Sequence, residues 1–269
     1  MSFRIQRAFN LTRDPFAKDV PAGDLFLDEA RSHTLEVLTG AIEQRSSVLL
    51  TAEPGVGKSC LVRRLASQLH PGRFQVHYFH NATLGRRDFY RQLCWGLGLK
   101  PSATAAALFR AVSQHIEELA AENRGHPVFV LDEAHLLQDA TVEHLHILLN
   151  YEWDSRPLLS LLLVGLPELK DRLRLHQHRA LWTRLAQRLH LGPFAPEGTA
   201  SYVRHRLAKA GCEREVFASD ALALLHEASQ GYTRDIDRIA SLCLEQAAHT
   251  NERLVDRSLV RDLLKAQAA

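Results

Sequence analysis

Three observations in the amino-acid sequence predict an α/β protein with a mostly parallel sheet, followed by a small all-α unit. Short apolar runs rich in β-branched and aromatic residues alternate with amphipathic stretches through the first two-thirds of the chain. A glycine-punctuated turn, "TAEPGVGKSC" at 51–60, follows the first of those runs. Beyond Phe194 helical periodicity continues with no strand-like run in between.

An amphipathic stretch at 29–44 precedes the first strand-like run, 47–51. Further runs at 74–79, 127–131 and 158–164 read as strands, with an amphipathic helix expected over 105–122. Leu189 and Leu191 alternate with Arg188 and His190, which suggests a fifth strand before Gly192 and Pro193. Strands joined through helices pair in parallel and carry helices on both faces. The stretches "APEGTASYVRHRLAKAGC", "DALALLHEASQG" and "TRDIDRIASLCLEQAA" then supply the helical unit, with Pro196 and Gly198 at the junction and Gly211 and Gly231 as helix stops. The expected domains are 1–194 and 195–269.

Composition narrows the class. With 269 residues, 46% of them apolar and 24% charged, the chain can bury a sizeable core and is not of a disordered type. The longest apolar stretch, 158–167, is half of the ~20 residues that a membrane-spanning helix needs. The opening "MSFRIQRAFN" has no apolar export segment, so a cytoplasmic protein without a membrane partner is expected. The 4 cysteines lie far apart and imply no disulfide frame, and the 15 histidines are scattered without metal-ligand spacing. Net charge is only +2, yet Lys170, Arg172, Arg174, Arg179, Arg184 and Arg188 face the single acid Asp171 within 170–190. That run reads as a solvated helix face, or else as a surface for an anionic partner.

The turn after the first strand has the order that phosphate binding requires. Its candidate contacts are Ala52, Glu53, Pro54, Gly55, Val56, Gly57, Lys58, Ser59 and Cys60. Backbone N–H groups and a helix N-terminus would cradle phosphates, Lys58 would neutralise them, and the Ser59 hydroxyl would reach magnesium. Ala52 replaces the glycine that usually opens the pattern, but it ends a strand, where a methyl group fits. Gly55 and Gly57 stand where backbone must approach phosphate.

The complementary element is "PVFVLDEAH" at 127–135, an apolar strand ending in two acids. Asp132 would hold magnesium and Glu133 would polarise the attacking water. Two acids at a strand end can also merely cap a helix, a reading that the upstream Lys58 and Ser59 make the weaker one. The cofactors implied are ATP and Mg2+. Charge on the transferred phosphoryl group calls for arginines. Arg184 and Arg188 in "LWTRLAQRLHL" could act from a neighbouring subunit, and Arg234 in "GYTRDIDRIA" could sense the γ-phosphate from the helical unit. Surface arginines on amphipathic helices are the alternative.

These residues carry a resemblance. With "FNLTRDPFAKD", "VLLTAEPGVGKSCLVRRL", "VFVLDEAHLL", "LLNYEWDSRPLLSLLLVGLPEL", "LAQRLHLGPF", "YVRHRLAKAG" and "GYTRDIDRIASLCLEQA", the chain resembles AAA+ ATPases of the ExeA/GspA type. That group also includes the transposition ATPases TniB, TnsC and, more distantly, IstB. The resemblance implies a P-loop NTPase domain with a five-stranded sheet and a helical lid. It also implies ATP-dependent rings or filaments in which a neighbour's arginine completes the site. Two positions depart from the pattern: Leu166 in "VGLPEL" replaces a polar sensor, with Asn150 as a substitute candidate, and Thr233 stands where the lid motif commonly has proline.

Transposition-type relatives are stand-alone ATPases that assemble on duplex DNA and hand the target to a transposase. Secretion-type relatives add a membrane span and a wall-binding domain. The sequence ends at Ala269 with neither, so the expectation is a regulator of transposition, with a secretion-pathway assembly ATPase as the alternative. The partners expected are double-stranded DNA, a transposase of the same element and further copies of the chain. Arg86 and Arg87 in "NATLGRRDFYRQL" match the position where DNA-binding relatives present channel contacts. Turnover should be slow and stimulated by assembly; a nucleotide switch without turnover is the remaining class.

Overall fold

The computed structural model describes residues 3–80 and 83–268. Among these, strands β1 (Ser47–Ala52), β2 (Phe74–Phe79), β3 (His126–Leu131), β4 (Ser160–Gly165) and β5 (Leu185–Leu191) form one five-stranded sheet. Its order is β2-β3-β4-β1-β5, and every pairing is parallel. The three inner strands are buried at every position, as expected where both faces of a parallel sheet are covered, and so read as unbroken apolar runs. The edge strands β2 and β5 keep exposed residues, which is why β5 signalled itself only through the alternation at 188–191. It begins three residues earlier than that alternation, and a register shift at Ser47/Val48 falls between Leu185 and Gln187.

The helices, in chain order, are α1 (Phe3–Phe9), α2 (Glu29–Glu43), α3 (Lys58–Gln68), α4 (Arg86–Gly96), α5 (Ala105–Ala121), α6 (Asp139–Leu148) and α7 (Glu168–Leu173). They continue with α8 (Arg179–Trp182), α9 (Pro196–Lys209), α10 (Ser219–Ser229), α11 (Thr233–Thr250) and α12 (Arg257–Ala268). The helix expected over 105–122 forms because Thr104 caps it, its hydroxyl accepting from Ala107 N at 3.2 Å, and because Leu108, Val112, Ile116 and Leu119 repeat on one buried face.

The chain divides into two compact units. One holds residues 29–53 and 61–191, and the other holds residues 3–28, 54–60 and 192–268. The single cut expected after Phe194 is therefore corrected at the N-terminus. Phe9, Leu11 and Phe16 lie in one core with Tyr202, Leu207, Ile239 and Leu244, not with the sheet. A buried cation secures that arrangement, since Arg206 donates to the carbonyls of Pro15 and Ala17 at 2.5 and 2.7 Å and to Tyr202 Oη at 2.6 Å. Asp24 adds ion pairs with Arg13 and Lys209, both 2.9 Å, and these hold its carboxyl below the usual range.

The basic run at 170–190 is spread over α7, α8 and β5 and is not one helix face. Arg172 is tied to Asp139 at 2.5 Å and Arg184 to Asp154 at 2.6 Å. Of the four free cysteines, Cys60 is exposed and Cys94, Cys212 and Cys243 are buried. Among the described residues no helix is long and apolar enough to cross a membrane, and no His, Cys, Asp and Glu group could hold a metal on its own.

Gly231 precedes α11 at φ +75°, and a Cβ there would lie 2.1 Å from the Phe194 carbonyl oxygen, whose own residue donates its N–H to Gly231 O at 3.0 Å. Gly231→Ala should destabilise the helical unit by about 2–4 kcal/mol, read as a lower denaturation midpoint of the full chain. A midpoint equal to that of the parent would refute the close approach.

Candidate nucleotide site

The missing opening glycine has a local explanation. Ala52 is the last residue of β1, fully buried, and its backbone is not among those at positive φ, so a methyl group is accommodated. The glycines that follow do need their freedom: Gly55 sits at φ +82° and Gly57 at φ +110°. Glu53 and Pro54 are exposed at the mouth of the turn, while Val56 is fully buried beneath it. Lys58 opens α3 and is only 8% exposed, with Ser59 and Cys60 exposed in the same first turn. That turn carries no acidic residue, and the positive dipole end of a helix favours an anion.

The loop is held from α11. Arg234 N donates to Gly55 O at 3.1 Å, and Thr233 Oγ1 donates to Val56 O at 3.0 Å. Because a trans peptide points its C=O and N–H in opposite directions, tying these carbonyls to α11 turns the N–H groups of Val56 and Gly57 the other way. Thr233 is thus more than a departure from the lid motif, since a proline at 233 would have no hydroxyl to offer Val56. The Arg234 side chain is exposed. Contact at this point is close, for a Cβ on Gly55 would lie 3.1 Å from Arg234 Cβ.

The acids lie at the end of β3. Asp132 is 5% exposed; its Oδ1 accepts from Glu133 N at 2.9 Å and its Oδ2 accepts from Tyr78 Oη at 2.5 Å. Its own N–H donates to Phe79 O at 2.8 Å. Burial, and after it the bond to Asp132, pushes the Tyr78 phenol well above its ordinary range. Glu133 adopts the left-handed region at φ 52°, ψ 34°, a strained backbone for a non-glycine residue. Its carboxylate is half-exposed, with Oε2 3.5 Å from His135 Nδ1. Register places Leu131 opposite Leu163 and Leu163 opposite Leu49, so β3, β4 and β1 end along one edge of the sheet, and the phosphate loop leaves β1 from that edge.

Leu166 follows β4 at this edge and is partly buried, with no polar side-chain group to offer. Asn150 does not replace it. It follows α6 on the segment entering β4 at the N-terminal end, so the crossover separates it from the acids. Arg184 likewise precedes Leu185, which pairs with Ser47 at the start of β1, and so lies at the sheet edge away from Asp132. Arg188 is exposed in mid-β5, its guanidinium over the Trp182 ring at 4.2 Å and donating to Trp182 O at 2.7 Å. Arg86 and Arg87 are exposed at the start of α4, Arg87 with Asp88 at 3.5 Å. Sequence reading missed Tyr78, because only the pairing of β2 with β3 brings it to Asp132.

Residues 41–173 match the model of a family described as an AAA domain. The chain is also 34% identical over 240 residues to general secretion pathway protein A of Aeromonas hydrophila. It has the P-loop fold of AAA+ proteins and is similar to the ExeA/GspA group. The alignment takes in 88% of this chain and 43% of that relative, so the AAA+ chain spans less than half of the relative's length. The Aeropyrum pernix ORC2 protein, solved as ADPNP–ADP complexes, superposes with a TM-score of 0.69 at 16% identity, covering 93% of this chain and 70% of its own. Drosophila ORC bound to DNA gives 0.69 at 19% identity, with 99% and 66% covered. The RuvB Holliday junction branch migration motor of Thermotoga maritima gives 0.63 at 16%, with 94% and 73% covered. At such identities these structures share the fold.

The residues present suit the nucleotide and metal that the fold implies. Left-handed glycines opening onto an acid-free helix start with a buried lysine suit phosphates, and a buried carboxylate and a serine hydroxyl are hard oxygen donors suited to magnesium. Thr233→Val, which keeps the shape and removes the hydroxyl, should weaken ATP binding roughly fivefold, equivalent to about 1 kcal/mol, in calorimetric titration. Thr233→Ser should retain it. Equal affinity for all three proteins would show that the α11 contact does not shape the loop.

Proposed function

We propose that the protein is a magnesium-dependent ATP hydrolase that works in copies of itself as a secretion-type assembly ATPase. The observation that carries the reading is the loop of Gly55 and Gly57 opening onto buried Lys58, within a chain 34% identical over 240 residues to a general secretion pathway protein. In this reading the loop N–H groups from Ala52 to Cys60 and Lys58 bind the phosphates, and Ser59 and Asp132 hold the metal. Bound magnesium neutralises charge on the phosphate oxygens. Glu133, half-exposed and turned out of the strand by its left-handed backbone, orients the attacking water. Arg234 reads the γ-phosphate from the helical unit.

Arg184 and Arg188 are assigned to the neighbouring copy's site. Arg184 lies at the sheet edge away from its own Asp132, which supports action in trans. With Leu166 offering no polar group beside the acids, turnover depends on assembly.

Glu133→Gln should keep ATP binding and lower hydrolysis by about 100-fold or more, whereas Lys58→Ala should lose binding itself. Phosphate release and equilibrium binding measured side by side decide this, and parent-like hydrolysis by both variants would remove the assignment. Measurable turnover by the parent also excludes a switch that never hydrolyses.

A second reading, assembly on duplex DNA in support of a transposase, rests on Arg86 and Arg87, exposed together at the N-terminal end of α4. The secretion relative supports the first reading over this one. Sedimentation of the ATP-loaded protein with long duplex DNA at two salt concentrations separates them. DNA association that weakens with salt, and whose salt slope falls by about 2 in Arg86→Ala/Arg87→Ala, favours the DNA role. ATP-dependent assembly without DNA association favours the secretion role.

A further inference from the structure

The side chain that the site assignment leaves unused is Tyr78. It lies on the edge strand β2 opposite Val130 of β3, two residues before Asp132, which immediately follows that strand. Successive side chains alternate across a strand, so Tyr78 and Asp132 stand on the same face of the sheet as a diagonal pair. With strands about 4.8 Å apart and a two-residue rise of about 6.6 Å, such a diagonal is about 8 Å at the backbone, a gap that only a long or aromatic side chain closes. Tyrosine closes it with a hydrogen-bond donor at the tip, Oη to Asp132 Oδ2 at 2.5 Å.

Tyr78 is 49% exposed as a residue, its ring stacked beside His80 with centroids 6.1 Å apart, while its hydroxyl is its desolvated end. Here it is directed at a carboxylate that is itself 5% exposed. With Oδ1 accepting from Glu133 N and Oδ2 from Tyr78, both oxygens of Asp132 are fixed, and each retains a further lone pair.

We infer that Tyr78 is a positioning residue for magnesium: its hydroxyl holds the Asp132 carboxylate in the orientation from which the remaining lone pairs take up the ion or its water. The inference rests on the assignment of Asp132 to magnesium made above. Partners of this kind, bonded to a ligand and not to the metal, commonly set metal affinity within a 10- to 100-fold range. Tyr78 transfers no proton and touches no substrate.

The test uses the full chain as the parent, Tyr78→Phe and Asp132→Ala, and follows ADP binding by calorimetry from excess chelator through rising free Mg2+. Tyr78→Phe keeps the ring and loses the hydroxyl. It should bind ADP as the parent does without metal, need about tenfold more Mg2+ for half of the metal-dependent tightening, and recover parent affinity at saturating Mg2+. Its kcat at saturating Mg2+ should then approach that of the parent, while turnover at low Mg2+ stays depressed. An unchanged Mg2+ half-point, in a protein whose Asp132→Ala variant has lost the metal effect, would overturn the positioning role. Loss of metal-free ADP binding or of the parent melting temperature in Tyr78→Phe would also overturn it, showing a structural role. A metal effect surviving in Asp132→Ala would instead refute the assignment of Asp132 itself.

Discussion

A phosphate-binding turn has no hydrogen-bond ladder of its own, so its shape must be imposed from outside. Here the imposing contact is the head of α11, which bonds the carbonyls of Gly55 and Val56 through Arg234 N and Thr233 Oγ1. Peptide planarity converts those two bonds into an orientation for the neighbouring N–H groups. Glycine at 55 and 57 supplies the positive φ values that let the chain bend this way, at an entropic cost that the α11 contacts offset. Gly231, just before α11, needs its missing side chain for the same reason, since the helix head is seated against the Phe194 backbone.

At the end of β3 a different constraint operates. The inner strands are buried on both faces, so a charged residue is tolerated only where the strand ends, and Asp132 and Glu133 occupy that point. The two acids are then treated in opposite ways. Asp132 is buried and bonded at both oxygens, whereas Glu133 is rotated outward by a left-handed backbone and left half-exposed. A fixed carboxylate suits holding an ion, and a less constrained one suits orienting a water molecule.

The arginines show how little a basic stretch says about geometry. Within 170–190, Arg172 and Arg184 are each neutralised by one acid, Asp139 and Asp154, and Arg188 lies over Trp182. The two ion pairs join residues 33 and 30 apart in sequence, and no periodicity marks them. Arg206, unremarked in the sequence, is by contrast a buried cation on which the packing of residues 3–28 depends.

Periodicity and motif chemistry were legible from the chain alone. Unbroken apolar runs mark strands buried on both faces, the 105–122 repeat marks a one-sided helix, and the order strand, glycine turn, Lys58, Ser59 marks a phosphate loop, because each follows from contacts within a few residues. What tertiary structure alone decided is whatever depends on strand order and on partners far apart in sequence. The pairing of β2 with β3 brings Tyr78 to Asp132 across 54 residues, and α11 reaches Val56 from Thr233 across 177. The family pattern identified Thr233 only as a departure from proline, and its hydrogen bond is a property of the packed chain. Local spacing determines which residues can do the chemistry, and the closing of long loops determines which of them meet.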